Sequence, residues 1–257
     1  SDFQVIGMVR HTQSFDTLLV PKNPRSAFTE AFRVIRTRIE FIVQRKKNIM
    51  IMITSGESGD GKTYFGINLA GIYAMSSAKT ILVDMDIRKP SVNGRFNITN
   101  TEGVTNYLIG QCELEDVILR LPGVDYDILP AGTVPPNAGE LIRSEKLLDM
   151  FAILRKQYDF IIVDTSPIGI VADAYSLAQI SDVNLYVVRN EKTSKTVLKK
   201  ITAQLKADNI NNIFTIMNDV STEENKYSKY YSKKYTYGYN SYGYISKKKT
   251  NKKSDLS

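Results

Sequence analysis

A glycine-rich segment between Gly56 and Thr63 has the residue types and the spacing of a phosphate-binding loop. It reads G-x-x-x-x-G-K-T and directly follows an apolar run that ends at Ile53. Glycines let the backbone wrap around a phosphate, and the N-terminus of a following helix adds partial positive charge. We expect Lys62 to reach the β- and γ-phosphates of a nucleotide and the Thr63 hydroxyl to bind Mg²⁺. The expected nucleotide-binding residues of this loop are Gly56, Ser58, Gly59, Asp60, Gly61, Lys62, Thr63 and Tyr64.

Two further apolar runs end in charged residues that could share such a site. One run ends at Asp164, and Asp84, Asp86 and Arg88 follow another at alternate positions. Ligands bind open parallel sheets at the carboxyl ends of the strands, so Asp164 is expected to hold Mg²⁺, with Asp86 as an outer partner. If the backbone stays extended, the three alternate residues share one face, which is costly unless a cation and a phosphoryl group compensate them. An ordinary surface turn is the alternative interpretation.

The elements that must position these residues alternate between strands and helices. Solid apolar runs predict strands at 49–53, 80–83, 126–129, 160–163, 183–188 and 213–217. Helical periodicity predicts helices near 62–76, 104–110, 139–157, 173–180 and 194–208. Before them, an extended lead-in with an edge strand is expected, and then a helix capped by Ser26 whose buried face holds Phe28, Phe32, Ile35 and Ile39. This alternation predicts an α/β fold with a doubly wound, mostly parallel sheet.

Composition and charge limit the chemistry and set the C-terminal segment apart. One cysteine and one histidine allow no internal disulfide and argue against a His/Cys metal site or a Ser-His-Asp triad. No apolar run is long enough for a transmembrane helix. The net charge is +7, but residues 1–220 hold 25 Lys and Arg against 24 Asp and Glu. Residues 221–257 carry the other +6 and few large apolar groups, so we expect them to be a disordered tail rich in tyrosine and lysine.

Together the three motifs resemble the Walker A, Walker A′ and Walker B set of the bacterial tyrosine kinases (BY-kinases), which accompany capsule and exopolysaccharide export. The resemblance covers nearly the whole chain, including residues 128–141 and 216–220. It implies a P-loop NTPase fold of the MinD/ParA-like type over residues 26–220. Residues 1–25 are then a juxtamembrane-like lead-in, and residues 221–257 are a tail that carries an autophosphorylation cluster.

The resemblance also implies a role for individual residues in transfer of a phosphoryl group from ATP to tyrosine. Lys62 would stabilise charge on the transferred group, and Arg88 would guide the acceptor or the γ-phosphate. Asp84 would accept the tyrosine proton, with Asp86 as the alternative, because a hydroxyl of pKa roughly 10 attacks poorly otherwise. Asn218 would contact adenine. The expected phosphoacceptors are Tyr227, Tyr230, Tyr231, Tyr235, Tyr237, Tyr239, Tyr242 and Tyr244.

Partners and cellular place follow from the same resemblance. The expected cofactors are ATP or ADP and Mg²⁺, and no nucleic acid is expected to bind. The expected partners are a membrane activator or polysaccharide co-polymerase segment, a tyrosine phosphatase and further copies of the chain in a ring, with the tail of one subunit in the site of the next. The expected location is the cytoplasmic face of the bacterial inner membrane. The implied oligomerisation motif, E-x-x-R-x-x-R, consists of Glu30, Arg33 and Arg36, although this spacing also suits a solvated helix face.

Two other functions remain compatible with these motifs. One is a nucleotide switch of the MinD/ParA kind that uses its basic tail to bind a membrane or nucleic acid. Glu57 disfavours it, because those relatives carry a signature lysine at this position. The other is a scaffold whose tail is phosphorylated by another kinase. Ser58, where the kinases commonly have proline, is a mild departure at a variable loop position.

Overall fold

Strands and helices alternate through residues 3–13, 16–44, 46–171 and 173–221, the part of the chain that a computed structural model describes. The strands are β1 Val5–Arg10, β2 Ile49–Ser55, β3 Thr80–Met85, β4 Asp127–Leu129, β5 Phe160–Thr165, β6 Val183–Arg189 and β7 Ile213–Val220. The helices are α1 Leu19–Lys22, α2 Ala27–Ile42, α3 Lys62–Ala74, α4 Val92–Phe96, α5 Val104–Leu108, α6 Leu114–Val117, α7 Ala138–Leu141, α8 Glu145–Gln157, α9 Asp173–Ile180 and α10 Lys195–Ala207.

The described strands form one parallel sheet in the order β1-β7-β6-β2-β5-β3-β4. Because β5 lies between β2 and β3, the ends of these three strands are neighbours. The register pairs Asp164 of β5 with Ile53 of β2 on one side and with Asp84 of β3 on the other. This topology confirms the predicted doubly wound sheet and brings the phosphate-binding loop and the acidic strand ends to one edge.

The elements on both sides of the loop after β2 are buried in the core. Every residue of β2 and β3 is buried, as expected for strands that are covered on both faces. Helix α3 is apolar around most of its circumference, and Phe65, Leu69 and Tyr73 are all buried. The Phe65 ring packs against Phe32 of α2 with 5.2 Å between the ring centroids. The loop is therefore anchored at both ends in close-packed structure.

The predicted N-terminal elements are confirmed, and one predicted helix is wrong in its extent. Strand β1 lies at the edge of the sheet, and the Ser26 hydroxyl accepts a hydrogen bond from the Thr29 amide at the start of α2. The predicted helix at 139–157 is instead divided into α7 and α8. Ser144 caps the second helix, since its hydroxyl accepts a hydrogen bond from the Leu147 amide, so the chain begins a new helix there. The short helices α1, α4 and α6 were not predicted.

Candidate active site

The glycine-rich loop contains two glycines in a conformation that other residues rarely adopt. Gly59 and Gly61 have φ of +85° and +95°, in the left-handed region that favours glycine. A Cβ on Gly61 would meet the Asn218 side-chain nitrogen, so a larger residue would displace that side chain and would also be strained at this φ. Helix α3 starts at Lys62, whose side chain is buried, and its N-terminus faces the loop. The residues predicted from the motif therefore stand where strand, loop and helix N-terminus meet.

The Thr63 hydroxyl and Asp164 contact each other, as a shared metal site requires. Thr63 Oγ1 donates to Asp164 Oδ2 at 2.5 Å and lies 2.8 Å from the Ser91 hydroxyl. Asp164 Oδ1 is buried and has no hydrogen-bond partner in the described part of the chain. A buried carboxylate oxygen without a donor is costly, and a cation would compensate it. These residues thus fit Mg²⁺.

A Mg²⁺ ion at Thr63 and Asp164 would combine these protein oxygens with nucleotide oxygens and water. Among the residues that the structure describes, no group of three or more His, Cys, Asp or Glu is arranged to hold a metal ion. Mg²⁺ commonly binds one or two protein oxygens and completes its octahedron with nucleotide phosphates and water. The arrangement is therefore typical of a site that takes the metal together with a nucleotide.

Asp84 and Asp86 differ in burial and in hydrogen bonding. Asp84 is fully buried, and its carboxylate accepts hydrogen bonds from the amides of Asp86, Ser91 and Val92 at 3.1, 3.3 and 3.2 Å. Burial, and then the charge of Asp164, raise its pKa well above the usual value. Asp86 is half-buried and accepts a hydrogen bond from the Ser166 hydroxyl at 2.6 Å. Asp84 is thus the more buried carboxylate, and Asp86 is the more accessible one.

Asp164 also holds its proton more tightly than an ordinary aspartate does. Burial raises its pKa to about 6, while Lys62 and the Thr63 hydrogen bond act in the opposite direction. A pKa raised by folding means that the ionised carboxylate destabilises the folded protein. The protonated carboxyl therefore contributes to the free energy of unfolding. This contribution is fully present below the unfolded-state pKa near 4 and is lost as the pH rises through about 6.

We expect Asp164→Asn to stabilise the protein without metal, and to do so more as the pH rises. The amide does not ionise, so the difference in free energy of unfolding should be small near pH 4 and grow to as much as about 3 kcal/mol above pH 6. Denaturant unfolding of both proteins in EDTA between pH 4 and 8 measures this difference. A difference that does not change with pH would contradict the buried-carboxylate assignment.

Arg88 does not continue the extended strand, contrary to the prediction from alternate spacing. Strand β3 ends at Met85, and the chain turns before Arg88. The Arg88 Nε instead donates to Asp173 at 2.5 Å, which joins this turn to the start of α9. Hydrogen bonding to Asp173 raises the pKa of Arg88. Asp173 was not predicted, because no motif near either residue links two positions so far apart in the sequence.

Of the remaining predicted residues, some lie at the site, some lie on α2, and some lie outside the described part of the chain. Asn218 lies at the site, and its side-chain amide donates to the Asp60 carbonyl at 2.9 Å. On α2, Arg33 forms an ion pair with Glu30, whereas Arg36 Nη1 donates to the Ile72 carbonyl of α3 at 3.0 Å. Arg36 thus contacts α3 of the same chain. The eight predicted phosphoacceptor tyrosines lie outside the described residues.

Comparisons with known proteins agree on one family. An AAA domain matches residues 46–219. The putative tyrosine-protein kinase CapB of Staphylococcus aureus is 33% identical over 224 residues, which cover 87% of this chain and 98% of CapB. A putative tyrosine-protein kinase of Klebsiella pneumoniae is 34% identical over 177 residues, but this chain spans only 24% of its length.

Solved structures give the same result. The crystal structure of the chimerical protein CapA2B2 matches with a TM-score of 0.79 at 32% identity, over 86% of this chain and 96% of that one. The kinase domain of the Escherichia coli tyrosine kinase ETK matches with a TM-score of 0.81 at 26% identity, over 87% of this chain and 92% of that one. The cell-division ATPase MinD of Pyrococcus furiosus, with a TM-score of 0.54 at 24% identity, shares the fold alone. None of the described helices is long and apolar enough to cross a membrane.

Proposed function

This chain belongs to the bacterial tyrosine-protein kinases, and we propose that it transfers the γ-phosphoryl group of ATP to tyrosines in the tail of a second copy. The observation that carries this proposal is the convergence of three strand ends. The loop after β2, Asp84 at the end of β3 and Asp164 on β5 lie on adjacent strands. A phosphoryl group bound there has a lysine, a metal-binding pair and a candidate base around it.

Lys62 would neutralise charge on the phosphates, and Thr63 and Asp164 would position the metal ion that binds them. Lys62 is buried and sits at the N-terminus of α3, where its charge and the helix dipole act on the same phosphates. Thr63 and Asp164 would hold Mg²⁺, with Asp86 nearby as an outer partner. The metal, when bound, would neutralise charge on the phosphate oxygens. These groups are fixed before the substrate arrives, which lowers the cost of reorganisation.

On the acceptor side, a carboxylate must take the proton of the tyrosine hydroxyl. We assign this role to Asp84, because it is paired with Asp164 in the β3–β5 register and burial raises its pKa. Asp86 is the alternative, since it is half-buried and closer to solvent. Arg88, held by Asp173, would guide the incoming acceptor or the γ-phosphate.

The tail and helix α2 support a mechanism between subunits. The tail, residues 221–257, holds nine lysines and places eight tyrosines within residues 227–244, so it suits an acidic, metal-binding site of a neighbour. Glu30 and Arg33 are about half and one third exposed and could pair across an interface in a ring. Each phosphate adds about −1.5 to −2 charges, so eight would change the tail from +6 to roughly −6 to −10. Repulsion between such tails would dissolve the assembly.

Incubation of purified protein with Mg²⁺ and ATP tests both parts of this proposal. We expect phosphotyrosine that maps to residues 221–257 by mass spectrometry, and a fall in mass by light scattering as it accumulates. A variant with the eight tail tyrosines changed to phenylalanine should keep its mass and gain little phosphotyrosine.

Three outcomes separate the alternatives. Slow ATP hydrolysis without phosphotyrosine would indicate a switch of the MinD/ParA kind, and phosphorylation only after adding a second kinase would indicate a scaffold. Equal masses before and after phosphorylation would contradict the proposed disassembly while leaving the kinase activity intact. Glu30→Arg should lower the mass before ATP is added if α2 forms the interface.

The relatives suggest the cellular setting. We propose that the chain acts at the cytoplasmic face of the cell membrane, next to a membrane activator or polysaccharide co-polymerase, and that a tyrosine phosphatase reverses its reaction. The Klebsiella relative is about four times as long as the matched region, which agrees with kinase domains joined to further segments. The lead-in strand β1 pairs with β7 in the same sheet that carries the site, so a partner bound near β1 would contact the catalytic unit itself.

A further inference from the structure

Side chains from the C-terminal half of the sheet hold the outer side of the phosphate-binding loop. Arg189 Nη1 donates to the Gly59 carbonyl at 3.1 Å. Lys192 Nζ donates to the carbonyls of Ser58 and Gly59 at 3.3 and 3.2 Å. Asn218 Nδ2 donates to the Asp60 carbonyl at 2.9 Å. Three successive loop carbonyls thus accept hydrogen bonds from side chains that lie at least 130 positions further along the chain.

Peptide geometry makes these contacts relevant to the nucleotide. In a trans peptide unit the C=O and the following N–H point in opposite directions. Carbonyls of residues 58, 59 and 60 that face outward therefore turn the N–H groups of Gly59, Asp60 and Gly61 inward. Left-handed glycines at 59 and 61 bring such N–H groups into one anion-binding concavity. The side-chain hydrogen bonds to the loop carbonyls therefore fix the orientation of the loop N–H groups that would bind phosphate.

Arg189 and Asn218 are themselves positioned by Asp219 and by an irregularity in β7. Asp219 accepts from the Arg189 Nε at 2.8 Å, and its other carboxylate oxygen lies 2.6 Å from the His11 Nδ1, within hydrogen-bonding distance. Between the β1–β7 pairs that end at Met217 and Val220, β7 has one residue more than β1, and Asp219 there has φ of +60°. Such a bulge redirects neighbouring side chains. It turns Asn218 toward the loop and Asp219 toward Arg189.

We infer that Arg189, Lys192 and Asn218 form a carbonyl brace, a set of positioning residues that fixes the phosphate-binding loop in its binding conformation before the nucleotide arrives. The inference rests on the nucleotide site of the proposed function. The brace acts through the loop backbone, because its donor atoms bond to carbonyls on the side opposite to the inward N–H groups. It also assigns Asn218 to the loop backbone, instead of the adenine contact that was expected from the sequence.

The brace makes a prediction about which nucleotide groups are affected. Arg189→Ala should weaken ADP and ATP binding by about the same factor, roughly five- to tenfold, because a lost hydrogen bond from a charged donor loosens the N–H cradle of the shared phosphates. Adenosine binding should be unchanged, since it has no phosphate. Affinities are measured by competition against a fluorescent ADP with Mg²⁺ present.

Matched variants keep the test decisive. Arg189→Lys should recover most of the affinity, because one ammonium donor is enough for the Gly59 carbonyl, and Lys199→Ala on the exposed side of α10 should change nothing. Asn218→Ala should weaken ADP binding and spare adenosine; a loss for both would assign it to adenine instead. If Arg189→Ala does not fold, Lys192→Ala tests the same carbonyls from an exposed position.

Three results would overturn the brace. The first is unchanged ADP affinity in Arg189→Ala and Lys192→Ala. The second is a much larger loss for ATP than for ADP, which would show direct contact with the γ-phosphate. The third is an equal loss for adenosine. A wild-type protein that binds no ADP would instead refute the nucleotide site of the proposed function.

Discussion

Replacement of Lys62 by alanine is expected to lower phosphotyrosine formation by about a thousandfold or more. Lys62 is buried at the N-terminus of α3, so its charge acts on the transferred phosphoryl group in a site with little screening by water. Losing one charged group that stabilises phosphoryl transfer commonly costs at least this much. The substitution also removes a cation that lowers the pKa of Asp164, so the metal-binding carboxylate would be protonated more often near neutral pH.

The measurement is the initial rate of phosphotyrosine formation, with Lys79→Ala as the matched control. Lys79 is exposed and precedes β3, at the edge of the sheet away from the loop, so its loss should leave the rate unchanged. The thermal unfolding temperatures of both variants confirm that they are folded. Substantial activity in the folded Lys62→Ala protein would refute the assignment of the site.

Asp84→Asn is expected to lower the rate of phosphoryl transfer by about 10²–10⁴-fold while Mg²⁺ and ADP still bind. That range is typical for the removal of a general base. The amide keeps an oxygen that can accept from the Val92 or Asp86 amide, so the turn after β3 should stay in place. Because the amide cannot accept the tyrosine proton, kcat should fall while the affinity for nucleotide changes little.

Asp86→Asn tells the two candidate bases apart. If Asp84 is the base, Asp86→Asn should cost less than Asp84→Asn and should act mainly through Mg²⁺ affinity. A large fall in kcat for Asp86→Asn together with a mild effect of Asp84→Asn would assign the base to Asp86, the more accessible carboxylate.

The parts of the fold and site that could be predicted are those encoded by local patterns. The solid apolar runs gave the strands, and the buried face of α2 followed from the spacing of Phe32, Ile35 and Ile39. The contact of Thr63 with Asp164 followed from a loop motif and a strand end, because a parallel sheet brings strand ends to one edge.

The contacts that could not be predicted join residues without a shared motif. Arg88 and Asp173 are 85 positions apart, and Arg189 and Gly59 are 130 positions apart. Alternate spacing would bring Arg88 to the same face as Asp84 only if the backbone stayed extended, but the chain turns after Met85, where the pairing of β3 with β5 ends. Such contacts depend on how loops pack once the sheet has formed, which sequence periodicity does not encode.

The unpartnered oxygen of Asp164 has a consequence for how the protein exchanges its substrate. With a pKa of about 6 in the absence of metal, this group carries a proton in an appreciable share of molecules in mildly acidic solution. A metal ligand must be deprotonated, so uptake of the metal–nucleotide complex would expel that proton into the solvent. We therefore expect that loading of the metal–nucleotide complex releases protons, and that the apparent affinity for nucleotide weakens as the pH falls below about 6.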